Sequence, residues 1–184
     1  MGKDGKQLEV VDETGQPVRV ADRSEIHRGG LLHREVHVWL YTPKSEIIFQ
    51  HRAKDKDTYP DLLDATVGGH VEIGMGWEDS AVKELEEETG LNVSEDQLTF
   101  ITEIRSKAHD PVTDMTNNAL RRVYAHPYDG SITELKIEAG KSLGFEAWLI
   151  KDLFNMSKQD AKRFIPSMLA PGTLEIFRKI QSLG

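Results

Sequence analysis

None of the 184 residues is cysteine. That excludes disulfides, thiolate-held metal ions and a cysteine nucleophile. No apolar run is long enough to span a membrane, and no charged-then-apolar leader opens the chain. The cytosol is therefore the expected compartment. Basic charge is also scarce: 23 Lys and Arg face 31 Asp and Glu, leaving a net charge of -8. Non-specific nucleic-acid binding needs a basic surface, so a nucleic-acid polymer is not an expected partner. Internal repeats and low-complexity tracts are absent too. What remains is a chain 38% hydrophobic and 29% charged, a composition suited to one domain with a real core. Residues 1–26 read as an N-terminal hairpin arm, 27–150 as the core and 151–184 as C-terminal helices.

Four glutamates crowd the run Lys83-Glu84-Leu85-Glu86-Glu87-Glu88-Thr89-Gly90. This is the end of a helix, where the peptide dipole disfavours acids, and like charges three or four residues apart add roughly 0.2–0.5 kcal/mol of repulsion each. At about 100° per residue, Glu84, Glu87 and Glu88 fall within roughly a 100° arc, while Glu86 points elsewhere. A divalent cation reverses the sign of that repulsion, and clustered carboxylates suit a hard ion such as Mg²⁺. A solvated acidic face is the plainer alternative.

The stretch from Gly69 to Leu91 resembles the Nudix box, G-x5-E-x7-R-E-U-x-E-E-x-G-U with U aliphatic. Gly69, Glu84, Leu85, Glu87, Glu88, Gly90 and Leu91 match it, whereas Met75 replaces its first Glu and Lys83 its Arg. In the family that Glu and Arg pair with each other. Because a guanidinium fork is held mainly by a bidentate carboxylate, losing one partner lowers the cost of changing the other. The resemblance implies that Glu84, Glu87 and Glu88 are catalytic and hold Mg²⁺, with Mn²⁺ as an alternative, and that the Gly68 carbonyl is a further ligand.

Periodicity supplies the expected elements. Residues 7–20 read as a hairpin turning at Glu13-Thr14-Gly15. Leu32–Tyr41 alternates cleanly, with Val36, Val38 and Leu40 on one face and His33, Glu35, His37, Trp39 and Tyr41 on the other. Glu46–His51 is its partner strand. Ala65–Val67 is a short strand ending at the glycines, followed by a helix over Asp79–Thr89 stopped by Gly90. Further strands are predicted over Leu98–Arg105, Leu120–Ala125 and Phe145–Ile150, and helices over Ser157–Phe164 and Thr173–Ser182. The predicted fold class is α/β, an α/β/α sandwich with a mixed sheet, which is also the Nudix fold.

Residues 27–150 further resemble isopentenyl-diphosphate isomerase and its hydrolase-like relatives, through His27, His33, the loop His51–Pro60 and Leu63–His70. The isomerase needs a cysteine where this chain has Gly68, so isomerisation is not expected. Its Glu-x-Glu metal ligands correspond to Asn117 and Ala119, which cannot serve. His27, His33 and His70 match its remaining ligands in position only, and hydrogen-bonded structural histidines are the expectation. Arg52 and Lys56 match positions that hold the diphosphate, with a solvated charged loop, Asp55 and Asp57 interleaved, as the alternative. Trp39 and His70 complete the candidate substrate contacts, core packing being the commoner fate of such a Trp. Glu138 and Glu146 are candidate later acids. Together the resemblances imply a hydrolase cleaving a diphosphate linkage in a nucleoside diphosphate derivative. Its partner would be a small-molecule diphosphate, with no membrane involved and a homodimer left open. A catalytically silent ligand-binding or regulatory domain is the alternative, and an isomerase working through another acid is a second.

Overall fold

Residues 33–42 place alternate side chains in two apolar environments, and the strand they form is the one around which the sheet is assembled. The computed structural model describes residues 6–56 and 58–184. Residues 1–5 of the expected arm, and Asp57 of the charged loop, lie outside these. β1 (Gln7–Val11) and β2 (Pro17–Asp22) form the predicted hairpin, and a helix, α1 (Arg23–Gly29), follows with no counterpart among the predicted elements. Then come β3 (His33–Thr42), β4 (Glu46–Arg52), β5 (Leu63–Asp64), β6 (Val67–His70) and α2 (Trp77–Thr89). β7 (Thr99–Asp110) and β8 (Met115–Pro127) make a long hairpin, and β9 (Ser142–Leu149) leads into α3 (Ile150–Phe154), α4 (Lys158–Ala161) and α5 (Pro171–Gln181).

β3 pairs antiparallel with β1, β4 and β6 and parallel with β8, while β7 pairs with β8 and β9 with β4. The sheet is thus mixed, as predicted. Its two faces bury different clusters. Val36, Val38, Leu40, Ile48 and Val67 pack with Ala81 and Leu85 of α2. On the other face Trp39, Ile47 and Phe49 pack with Leu153, Ile176, Phe177 and Ile180 from α3 and α5. Each such side chain, fully buried, contributes roughly 1.5–3 kcal/mol, so this two-sided layering is what fixes the register of β3.

Several predicted boundaries shift. β6 runs through Gly68 and Gly69 instead of ending before them, pairing them with His37 and Val36. β7 and β8 extend far past the predicted strands, to Asp110 and Met115. Polar residues such as Lys107, Asn117 and Asn118 hide the pattern there, and the Asp110 side chain closes the turn by accepting from the Val112 amide and the Thr113 hydroxyl. The helix predicted over 157–164 shrinks to α4. The Leu63 amide donates to the Arg163 carbonyl at 2.7 Å and the Ile165 amide to the Leu63 carbonyl at 3.0 Å, drawing this backbone onto the sheet edge. Tertiary hydrogen bonding overrides local propensity there.

Candidate functional site

α2 starts after Gly76 and ends at Gly90, a left-handed C-cap whose amide donates to the Glu86 carbonyl at 2.9 Å. Ala81 and Leu85 turn it onto the sheet, and helical spacing carries Glu84 and Glu88 to the same side. These two carboxylates are 5% and 4% exposed, whereas Glu86 and Glu87 are exposed. β6 passes directly beneath. A Cβ at Gly69 would stand 2.0 Å from Cδ of Glu84, so a side chain there would push the carboxylate out of its present place.

Glu88 is held from a strand and from a loop. The Gln50 amide on β4 donates to its Oε2 at 2.9 Å, and the Lys141 ammonium lies 3.7 Å from its Oε1 and 2.9 Å from Glu138. Burial pushes Glu88 up to about 7, against the pull of Lys141 and with Glu84 adding to the rise. Burial likewise raises Glu84. For Lys141 burial works against the charge, but Glu138 and Glu88 hold it above its ordinary value. Burial outweighs the pull of Lys141, Lys6 and Lys83 on Glu84 and of Lys141 on Glu88, so negative charge on both carboxyls is poorly compensated in this low-dielectric setting. A divalent cation fits that deficit, and the oxygen donor set suits a hard ion.

The predicted site residues separate into groups. Glu84 and Glu88 come together, with Glu87 at their rim. Lys83 sits 3.7 Å from Glu87 and 2.6 Å from Glu72. Gly68 is exposed on β6, and a Cβ there would meet the His37 ring at 3.2 Å. The place of the isomerase cysteine is therefore crowded by a half-buried histidine. Trp39 is corrected to a core residue: it is 1% exposed, edge-on to Phe49 and Phe177 with centroids 5.4 and 4.8 Å away, and cannot stack on a ligand. Arg52 donates to Asp64 at 2.8 Å and to the carbonyls of Thr58 and Tyr59, which closes the loop after β4. Lys56 lies half-buried in that same loop. Of the two candidate acids, Glu138 stands beside Lys141, while Glu146 is engaged by Arg163 at 2.6 and 2.7 Å. Gln50 and Lys141 were not among the predicted residues. No local pattern marks them, since each reaches Glu88 from a distant segment.

His70 belongs to a second cluster. Among the described residues, His27, His33 and His70 have ligand atoms within 4.8 Å of one another, and the three glutamates form no such group. His27 Nε2 is 3.2 Å from His70 Nε2, and His33 Nδ1 lies 3.1 Å from the Leu31 carbonyl. His33 Nε2, buried and without a hydrogen-bond partner, lies 3.4 Å from Glu35 Oε1. Burial works against charge on Glu35, yet Arg121, His33 and His70 together outweigh it and hold the carboxyl well below its ordinary value. Burial lowers His27 to about 4 and His70 to about 3, so both imidazoles are neutral near pH 7. The three rings, expected as hydrogen-bonded structural groups, also gather at one point. The carboxylate that Asn117 and Ala119 cannot provide is present nearby as Glu35, which accepts from the Asn117 amide at 2.9 Å.

A family model described as the NUDIX domain matches residues 31–167, and the chain belongs to that family. Nudix hydrolase 3 of Arabidopsis thaliana is 31% identical over 65% of this chain and 16% of its own length. An isopentenyl-diphosphate delta-isomerase of Gibberella zeae is 33% identical over 54% of this chain and 47% of its own. The chain spans about half or less of the length of the first curated relatives it matches. The crystal structure of DR0079 from Deinococcus radiodurans has the same fold, with a TM-score of 0.70 at 19% identity over 95% of this chain and 98% of that one. Among the described residues no helix is long and apolar enough to cross a membrane.

Proposed function

We propose that the chain is a cytosolic Mg²⁺-dependent hydrolase that cleaves the diphosphate linkage of a nucleoside diphosphate derivative or a related small molecule. One observation carries this reading: Glu84 and Glu88 are buried side by side over a glycine strand, where burial outweighs the lysines around them. The cation that Glu84, Glu87 and Glu88 would hold, with Mn²⁺ able to replace Mg²⁺, supplies charge neutralisation at the diphosphate and a lowered pKa for water. The protein's own groups do the rest. Gln50 fixes the orientation of Glu88, and Lys141 offers an ammonium to phosphate oxygens once Glu88 is otherwise engaged. Glu87, exposed at the rim, or Glu138 beside Lys141 can accept the proton of an attacking water.

The silent-domain reading rests on Met75 and Lys83 alone. An isomerase is opposed by Gly68 and the His37 ring against it. The histidine cluster supports one addition, an ion softer than Mg²⁺ held by neutral imidazoles. Chromatographic detection of the phosphomonoesters released from a panel of nucleoside diphosphate derivatives, and of any change in isopentenyl diphosphate, with and without chelator, tests the reading. Chelator-sensitive cleavage of at least one nucleoside derivative, with isopentenyl diphosphate unchanged, is the expected result. No release from any compound would overturn it.

A further inference from the structure

Lys83 stands where the box has Arg, and it is not an orphan. Its ammonium lies 2.6 Å from Oε2 of Glu72 and 3.7 Å from Oε1 of Glu87, one helical turn on. The second oxygen of Glu72 is met by Lys6 at 3.0 Å. Met75, at the position of the box acid, turns its side chain to the apolar cluster that holds Leu85 and Ala81. Three residues earlier, the Glu72 carbonyl accepts from the Met75 amide at 3.0 Å, closing a turn that keeps the Glu72 side chain over the helix.

We propose that Glu72 is a positioning residue that takes over from the carboxylate absent at Met75, and that Lys83 relays its hold to Glu87 at the mouth of the site. This rests on the hydrolase reading above. Lysine suits the arrangement better than arginine. An ammonium directs three protons outward from one nitrogen and can serve two carboxylates on different elements, whereas a guanidinium fork is matched to one coplanar carboxylate. The two departures from the box are then one rewired contact, with its acid moved three positions upstream and joined to the N-terminal arm through Lys6.

The test uses Glu72→Gln in the full chain, read by calorimetric Mn²⁺ binding, by the Mg²⁺ concentration for half-maximal rate and by thermal melting. The pair is half-exposed, so a twofold to fivefold weakening of both metal readouts is expected, the range that an exposed ion pair of up to about 1 kcal/mol provides. The melting temperature should stay within about two degrees. Restoring the box-type pair in that background, as Glu72→Gln with Met75→Glu and Lys83→Arg, should recover metal affinity, which a merely structural surface pair would not do. Unchanged Mn²⁺ binding in Glu72→Gln, or no recovery in the triple variant, overturns the proposal. Absence of turnover in the parent protein would instead count against the hydrolase reading, and Mn²⁺ binding would still decide the role of Glu72.

Discussion

Gly69 and Glu84 compete for the same space, and the glutamate wins because its neighbour has no side chain. Gly69→Ala should therefore displace the carboxylate, and a shift of about 1 Å at a reacting centre can cost about a hundredfold in rate. Steady-state kinetics beside circular dichroism would check this, with fold retained and kcat reduced. Glu88 carries a second consequence of burial. Its carboxyl sits at about 7 in the folded protein against an ordinary 4.5. The stability this proton provides is complete below about pH 4.5 and is lost as pH rises through 7. Metal-free protein should lose on the order of 1–3 kcal/mol across that window, and Glu88→Gln should flatten the loss while abolishing turnover. Denaturant melts at pH 5 and pH 8 would show it. The glutamates themselves could be picked out from the sequence because their spacing is fixed by one helix. Gln50 and Lys141 could not, since strand pairing and loop return bring them in from elsewhere. Trp39 misled for a related reason: alternation placed it correctly on the face of His33, but not under α5.

α2 was predicted almost to its ends, because an apolar stripe, a terminal glycine and a preceding Gly-rich loop all agree. α5 was likewise visible in the spacing of its apolar residues. The early end of α4 and the outer halves of β7 and β8 were not, as their backbone is held by partners distant in sequence rather than by their own periodicity. α5 covers the sheet face opposite α2. Phe177→Ala should cost about 3–5 kcal/mol of stability through the cavity it leaves, yet change the rate per folded molecule little. Unfolding curves and activity normalised to folded protein separate the two effects.

Across the whole molecule, class and layering followed from sequence, because strands flanked by helices admit few architectures. The strand order did not, since β3's parallel partner β8 begins more than seventy positions later in the chain. Among the described residues β3 shares its backbone ladder with four other strands, whereas β7 has β8 alone. In deuterated solvent this asymmetry becomes a clock. The amides of Val36, Val38 and Leu40 should trade their protons only when the entire molecule opens, and those of β7 should trade earlier through local fraying, a contrast that exchange mass spectrometry can time.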